Sequence, residues 1–314
     1  MSHHVAVIGA GLIGRAWAIV FARAGFDVAL YDISADALEK AADSIEASAA
    51  DLVAAGLMAD TGFTTRIRRE PDLAAALAGV DYVQECGPEI LEAKQALFAE
   101  LEAACGPDTI LASSTSGILA SDFAANLVHP ERCLVSHPVN PPYLIPLVEL
   151  VPSPATSAAV TERVHALMVD AGQVPVTVHR EISGFVLNRL QGALLNEAMR
   201  LVGGGYVSAA DLDSTVKHGL GLRWSFMGPM ETIDLNAPGG IADYAARYGQ
   251  LYTDMAGTQT STPDWSPAAI AELERARREH LPGTGLADRQ EWRDRRLMAL
   301  AVHKREMDNT DPTN

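Results

Sequence analysis

The first stretch of pattern along the chain is residues 5–8, Val-Ala-Val-Ile, apolar at every position. A run that short and that uniformly apolar reads as a strand covered on both faces. Residues 15–24 then place apolar side chains at helical spacing and stop at Gly25, and residues 27–31 form a second β run ending on Asp32. The alternation continues with a helix over 35–55, capped by Ser34 and stopped by Gly56. After an irregular stretch at 57–69 come a short helix at 72–77, a strand at 80–86, a helix at 91–103 and a strand at 109–112. A helix at 121–126, strands at 133–136 and 147–151, a helix at 156–171 and a strand at 174–178 complete the series. Strand and helix signals in turn predict an α/β fold with a doubly wound, mainly parallel sheet. Beyond Glu181-Ile182-Ser183-Gly184 the pattern is helical only, over 185–202, 209–218, 240–255, 267–280 and 287–307, with the last few residues frayed. The expected division is therefore residues 1–183 and an all-α domain of residues 184–314.

Composition narrows the possible partners. The 314 residues are 48% apolar and 20% charged, as in a globular chain able to bury a full core. With 24 Lys and Arg against 40 Asp and Glu the formal charge is −16, a balance that repels nucleic acid and anionic membranes. The basic runs at 275–278 and 289–296 are interleaved with acids, as on a solvated helix. Cys86, Cys105 and Cys133 show no paired spacing, which fits small core residues in a reduced, cytoplasmic setting. The nine histidines form no metal-binding spacing. No long apolar segment or leader pattern precedes the first strand.

The turn after the first strand reads Gly9-Ala10-Gly11-Leu12-Ile13-Gly14, and Asp32 ends the next strand. Strand, glycine turn, helix, strand and acid together make the full context of a dinucleotide fingerprint, so the N-terminal domain is of the Rossmann type. Gly9 serves the tight turn, Gly11 admits a pyrophosphate and Gly14 lets helix and strand pack closely. Leu12 and Ile13 lie within the same turn and are expected at the cofactor, and the helix that follows offers unpaired N–H groups and its positive dipole end to the phosphates. Asp32 suits ribose hydroxyls and repels a 2′-phosphate. No arginine follows it, so NAD is expected rather than NADP.

Chemistry is carried further along. Residues 136–149, Ser-His-Pro-Val-Asn-Pro-Pro-Tyr-Leu-Ile-Pro-Leu-Val-Glu, set four prolines between His137 and Glu149. The prolines forbid a helix and stiffen the connection. By itself the segment fits either a rigid turn with a satisfied histidine or a catalytic histidine held against a carboxylate. Ser113-Ser114-Thr115-Ser116 places hydroxyls at a strand C-terminus, where ligands of open α/β sheets gather. A Ser-His-Glu hydrolase is disfavoured, because no nucleophile elbow is present and the glycine turn would be unexplained.

Taken together, these motifs resemble the 3-hydroxyacyl-CoA dehydrogenase superfamily, and most closely its lambda-crystallin, or L-gulonate 3-dehydrogenase, branch. Further matching segments are Gln84-Glu85-Cys86 with Pro88-Glu89, Gly184-Phe185-Val186-Leu187-Asn188-Arg189 and Gly219-Leu220-Gly221-Leu222-Arg223. The resemblance implies an NAD-dependent oxidation of a 3-hydroxyl. It places His137 as general base, Glu149 as its acidic partner, and Ser116 and Asn188 at the substrate oxygen. It also puts Glu89 and Lys94 against the nicotinamide nucleotide, and implies a homodimer through the helical domain. A neutral imidazole can take a hydroxyl proton near pH 7, and a carboxylate behind it fixes the tautomer.

On substrate, residues 33–59 carry one lysine among five acids, poor pairing for a polyanionic carrier such as CoA. Arg223 has the planar fork that binds a carboxylate. A small free 3-hydroxy acid is expected, with L-gulonate as lead. L-carnitine and a 3-hydroxyacyl-CoA are the alternatives, and a non-catalytic NAD-binding structural protein is the alternative of another class.

Overall fold

Successive residues of β1 (His4–Ile8) face opposite layers: Val5 and Val7 join one apolar cluster, Ala6 and Ile8 the other. That is why the run carries no polar position. The computed structural model describes residues 3–308, so the C-terminal residues expected to fray lie mainly outside it.

From β1 the chain continues through α1 (Leu12–Arg23), β2 (Asp27–Tyr31), α2 (Ala35–Ala54), β3 (Ile67–Glu70), α3 (Leu73–Leu77), β4 (Tyr82–Glu85) and α4 (Leu91–Ala104). Next come β5 (Ile110–Ser113), α5 (Ala120–Phe123), β6 (Cys133–Pro138), β7 (Leu147–Pro152), α6 (Ala158–Asp170) and β8 (Val174–Thr177). The eight strands form one sheet in the order β3-β2-β1-β4-β5-β6-β7-β8. Each neighbouring pair is parallel except β6 and β7. This is the expected doubly wound, mainly parallel architecture. The strand order reverses between β1 and β4, the switch point at which such sheets bind ligands.

One face is covered by α1, α2 and α6, with Trp17, Phe21, Leu52, Val164 and Met168 fully or almost fully buried. The other is covered by α4 and α5 through Phe98, Leu101 and Phe123. Each such side chain contributes about 1.5–3 kcal/mol by leaving water. The stretch at 57–69, expected to be irregular, ends in the edge strand β3. Its sequence, Ile-Arg-Arg-Glu, is polar because only one neighbour covers it, and so it lacks an apolar signature.

The rest is helical: α7 (Leu187–Gly203), α8 (Ala209–Thr215), one stretch of π-helix (Val216–Leu220), α9 (Gly221–Trp224), α10 (Pro229–Leu235), α11 (Gly240–Thr258), α12 (Pro267–His280) and α13 (Leu286–Asp308). Compactness divides the chain into residues 1–189 with 293–314, and residues 190–292. The end of α13, expected in the helical domain, belongs instead with the sheet unit. There Met298 is 4% exposed in the first cluster, and Arg305 donates to the Gly56 carbonyl at 2.7 Å.

Candidate active site

The glycine turn leaves β1 at the switch point. Gly9 has φ of 104°, and a Cβ there would meet the Cys86 carbonyl at 2.8 Å. A Cβ on Gly14 would sit 1.7 Å from the Gly9 carbonyl oxygen, so helix and turn can touch only through glycine. Gly11, by contrast, faces open space with nothing within 4 Å of an added Cβ. It begins α1, which has neither a side-chain cap nor an acid in its first turn. Leu12 stands exposed beside it and Ile13 is half-buried. The Asp32 carboxylate accepts from the Ala10 N–H at 2.8 Å and the Ser34 N–H at 2.9 Å, which fixes it beside the turn. A cradle of open N–H groups with an anchored acid fits NAD.

Strands β6 and β7 set His137 directly opposite Glu149 in antiparallel register. The proline-rich link between them turns a spacing of twelve residues into one cross-strand pair. His137 Nδ1 lies 2.8 Å from Glu149 Oε2, with both side chains buried. The second carboxylate oxygen accepts from the N–H groups of Val186 and Leu187, at 2.8 and 2.9 Å. Burial pushes the Glu149 pKa up, but hydrogen bonds from His137, Leu187 and Val186 outweigh it and hold the group below the ordinary carboxylate range. An ionised Glu149 can only accept, so the shared proton sits on Nδ1 and Nε2 carries the lone pair.

The start of α7 also reaches the hydroxyl-rich loop after β5, where Asn188 Nδ2 donates to the Ser116 carbonyl at 2.8 Å. Ser116, Asn188, Glu149 and His137, far apart in sequence, thus belong to one hydrogen-bonded assembly. Ahead of it Gly184 and Phe185 have φ of 76° and 48°. Phe185 is the one non-glycine residue with positive φ among the described residues, a conformation that costs roughly 1–2 kcal/mol. Its ring is fully buried, with its centroid 5.3 Å from that of the His137 ring.

Glu89 and Lys94 both bond within the protein, Lys94 from a buried position and Glu89 from an exposed one. Glu89 Oε1 accepts from the Thr115 hydroxyl at 2.5 Å and the Ser116 and Gly117 N–H groups at 2.9 and 3.2 Å, so it shapes the Ser116 turn. Lys94, 2% exposed, donates to both oxygens of the fully buried Glu85 at 2.9 and 3.0 Å, and lies 3.6 Å from Glu89. Glu85 also accepts from the Ser113 hydroxyl at 2.5 Å and the Gly87 N–H at 2.6 Å.

Gln84 donates to Ser114 at 2.6 Å and to the Ser136 carbonyl at 3.3 Å, which ties β4 to the residue before His137. Ser114 also accepts from Trp17 Nε1 at 3.1 Å. Burial pushes the neighbouring Cys86 thiol up to about 12. The two polar residues ending the otherwise apolar β4 were the sequence signal for this buried scaffold, whereas nothing marked Phe185 as left-handed.

Arg223 lies in the other unit. It is exposed, one turn after the π-helical stretch, and acts electrostatically on Tyr244. Tyr244, Tyr248 and Tyr252 line one face of α11, with the first and last hydroxyls 2.6 Å apart.

The switch-point cradle with its anchored acid is that of an NAD-binding protein. Residues 4–182 match the NAD-binding domain of 3-hydroxyacyl-CoA dehydrogenase and residues 184–266 match its C-terminal domain. The chain is 44% identical to lambda-crystallin of Oryctolagus cuniculus, over 96% of its length and 97% of that protein. It is 37% identical to an L-carnitine dehydrogenase of Streptomyces griseus, over 93% of its length and 87% of that protein. Among solved structures, an NAD-dependent 5-formyl-3-hydroxy-2-methylpyridine 4-carboxylic acid 5-dehydrogenase superposes with a TM-score of 0.82 at 30% identity, covering 96% of this chain and 98% of the other. The chain belongs to the 3-hydroxyacyl-CoA dehydrogenase family, whose members are NAD-dependent dehydrogenases acting on 3-hydroxy groups.

Proposed function

We propose that the protein oxidises the 3-hydroxyl of a small free L-3-hydroxy acid to the keto acid, with L-gulonate as the lead substrate. The observation that carries this is the joining of Ser116, Asn188, Glu149 and His137 through the first residues of α7. His137 Nε2 takes the hydroxyl proton, and the ionised Glu149 steadies the imidazolium that results. Ser116 and Asn188 hold the substrate oxygen and polarise the ketone in the reverse direction. Gly9, Gly11, Leu12, Ile13, Gly14 and Asp32 hold the cofactor, with Glu89 and Lys94 assigned to its nicotinamide side. Bound NAD supplies the acceptor for the hydride that leaves the carbinol carbon.

Arg223 is assigned to the substrate carboxylate. A free acid is favoured over a CoA ester because the lysine near Asp32, Lys40, is taken by Asp36 at 2.7 Å. L-carnitine is the second reading. It needs an aromatic cage for a quaternary ammonium, to which the fully buried Trp17 can offer no face. Comparing kcat/KM for L-gulonate, L-carnitine, 3-hydroxybutyrate and its CoA ester decides the matter. A preference of more than about tenfold for the CoA ester, about 1.4 kcal/mol, overturns the free-acid reading. Replacing His137 by Ala abolishes NADH formation and spares NAD binding. Unchanged turnover would refute the mechanism and leave the NAD-binding structural protein.

The same proposal includes a homodimer through the helical unit. Among the described residues, α7, α8, α11 and α12 contribute no buried side chain. Leu190, Leu194 and Leu195 on α7, with Leu251 and Tyr252 on α11, remain 39–63% exposed. Apolar rows of this kind call for a partner. Light scattering giving a monomeric mass counts against it.

A further inference from the structure

We propose that the left-handed Gly184–Phe185 turn is an anion nest built for Glu149, making Phe185 and the N–H groups of Val186 and Leu187 positioning elements of the His137–Glu149 pair. The inference rests on the catalytic reading of that pair. Two successive residues with positive φ bend the chain so that the next two N–H groups converge on Oε1, at 2.8 and 2.9 Å. Successive backbone donors in such a turn form a concave anion site. The two carboxylate oxygens are thereby divided: the nest holds one and the imidazole the other.

Glycine would reach the φ of residue 185 without strain, so the backbone requirement alone does not explain a phenylalanine. Packing alone does not explain a left-handed one. Both follow if one residue has two tasks: its backbone aims the donors at Glu149 and its ring closes the buried side of the imidazole. The charged surroundings leave Glu149 to these partners. His137 faces it from β6, the β8 position opposite is the apolar Val176, and Arg189 at the start of α7 turns to the Ser183 carbonyl at 3.5 Å. A nested Glu149 stays anionic, holds the proton of the neutral imidazole on Nδ1, and leaves the Nε2 lone pair as the proton acceptor.

Three substitutions test this. Leu187→Pro falls on the first residue of α7, where proline's fixed φ is tolerated, and deletes one nest donor. Phe185→Gly keeps the left-handed backbone and removes the ring, and Phe185→Leu restores apolar cover. The readouts are kcat/KM for oxidation against pH, KM for NAD and the thermal midpoint. In Leu187→Pro and Phe185→Gly the acid limb moves to higher pH by about half a unit or more and kcat falls at least about tenfold, with KM for NAD within about twofold. The limb returns towards the native position in Phe185→Leu. An unmoved limb in Leu187→Pro, with activity falling only as the folded fraction falls, overturns the nest. An unmoved limb in Phe185→Gly removes the ring from the proposal, and if that variant does not fold, Leu187→Pro decides alone. Turnover surviving in His137→Ala instead overturns the reading of the site itself.

Discussion

Glu149→Gln is nearly isosteric, yet it breaks the chemistry in two ways. The carboxylate now serves three donors with two oxygens: the N–H groups of Val186 and Leu187 on Oε1, and His137 Nδ1 on Oε2. A glutamine has one oxygen and one NH2 group. The two backbone donors are fixed by the turn, so they claim the oxygen and the NH2 group faces Nδ1. A donor there forces the imidazole proton onto Nε2, the atom that must accept the substrate proton. The charge is lost as well. Unit charges about 4 Å apart attract by about 4 kcal/mol at an effective dielectric near 20, and this stabilisation of the imidazolium disappears. At 1.36 kcal/mol per decade that is about a thousandfold in kcat, before the tautomer cost. The assay is NADH formation with L-gulonate under saturating NAD. NAD binding is followed separately by fluorescence and should be unchanged. A Glu149→Gln enzyme within about threefold of native kcat would refute both the tautomer assignment and the charge argument.

Acid stability gives an independent reading of the same residue. Glu149 sits below its ordinary pKa of 4.5 in the folded chain. Its contribution is therefore complete above the unfolded value and is lost as pH falls through the folded one. Denaturant titrations below pH 5 show a shallower acid loss for Glu149→Gln than for native protein, and parallel curves count against the assignment. Gly14→Ala drives a methyl onto the Gly9 carbonyl 1.7 Å away, so the turn must part from α1; NAD affinity drops at least about tenfold by calorimetry. Lys94→Met strands Glu85 as a buried, unpaired carboxylate and costs about 3–5 kcal/mol in urea unfolding. A loss under about 1 kcal/mol would mean that Glu85 is satisfied by Ser113 and Gly87 alone. Cys86, with its thiol held up at about 12, resists alkylation at pH 8 until the chain unfolds.

The parts of the fold legible in the sequence were those where one residue type has a single physical use. Gly9 and Gly14 are dictated by close approach, Asp32 by a fixed place at a strand end, and the prolines by stiffness, so the cradle and the His137 hairpin could be read in advance. Edge strand β3 could not, because half-covered positions tolerate arginine. The hydrogen bonds that Glu89 and Lys94 make within the protein were equally hidden. Glu89 precedes α4 and Lys94 lies in its first turn, a placement that suits a ligand as well as it suits Glu85 and the Ser116 turn. Phe185 lay beyond sequence reasoning for a related reason. A left-handed aromatic residue is uncommon on local grounds, and only its tertiary setting maintains it.

The return of the last helix to the sheet has a consequence for how the chain can be cut. Residues 190–292 are topologically an insertion: the polypeptide leaves the sheet unit within α7 and re-enters it within α13, both times partway along a continuous helix. A fragment ending at residue 189 would lack Met298, a buried member of the first apolar cluster, together with Leu297 packed against it. A chain in which a short linker joins residue 189 to residue 293 keeps both. The sheet unit of this protein is therefore discontinuous in sequence, and deletion from the C-terminus damages that unit before the helical one.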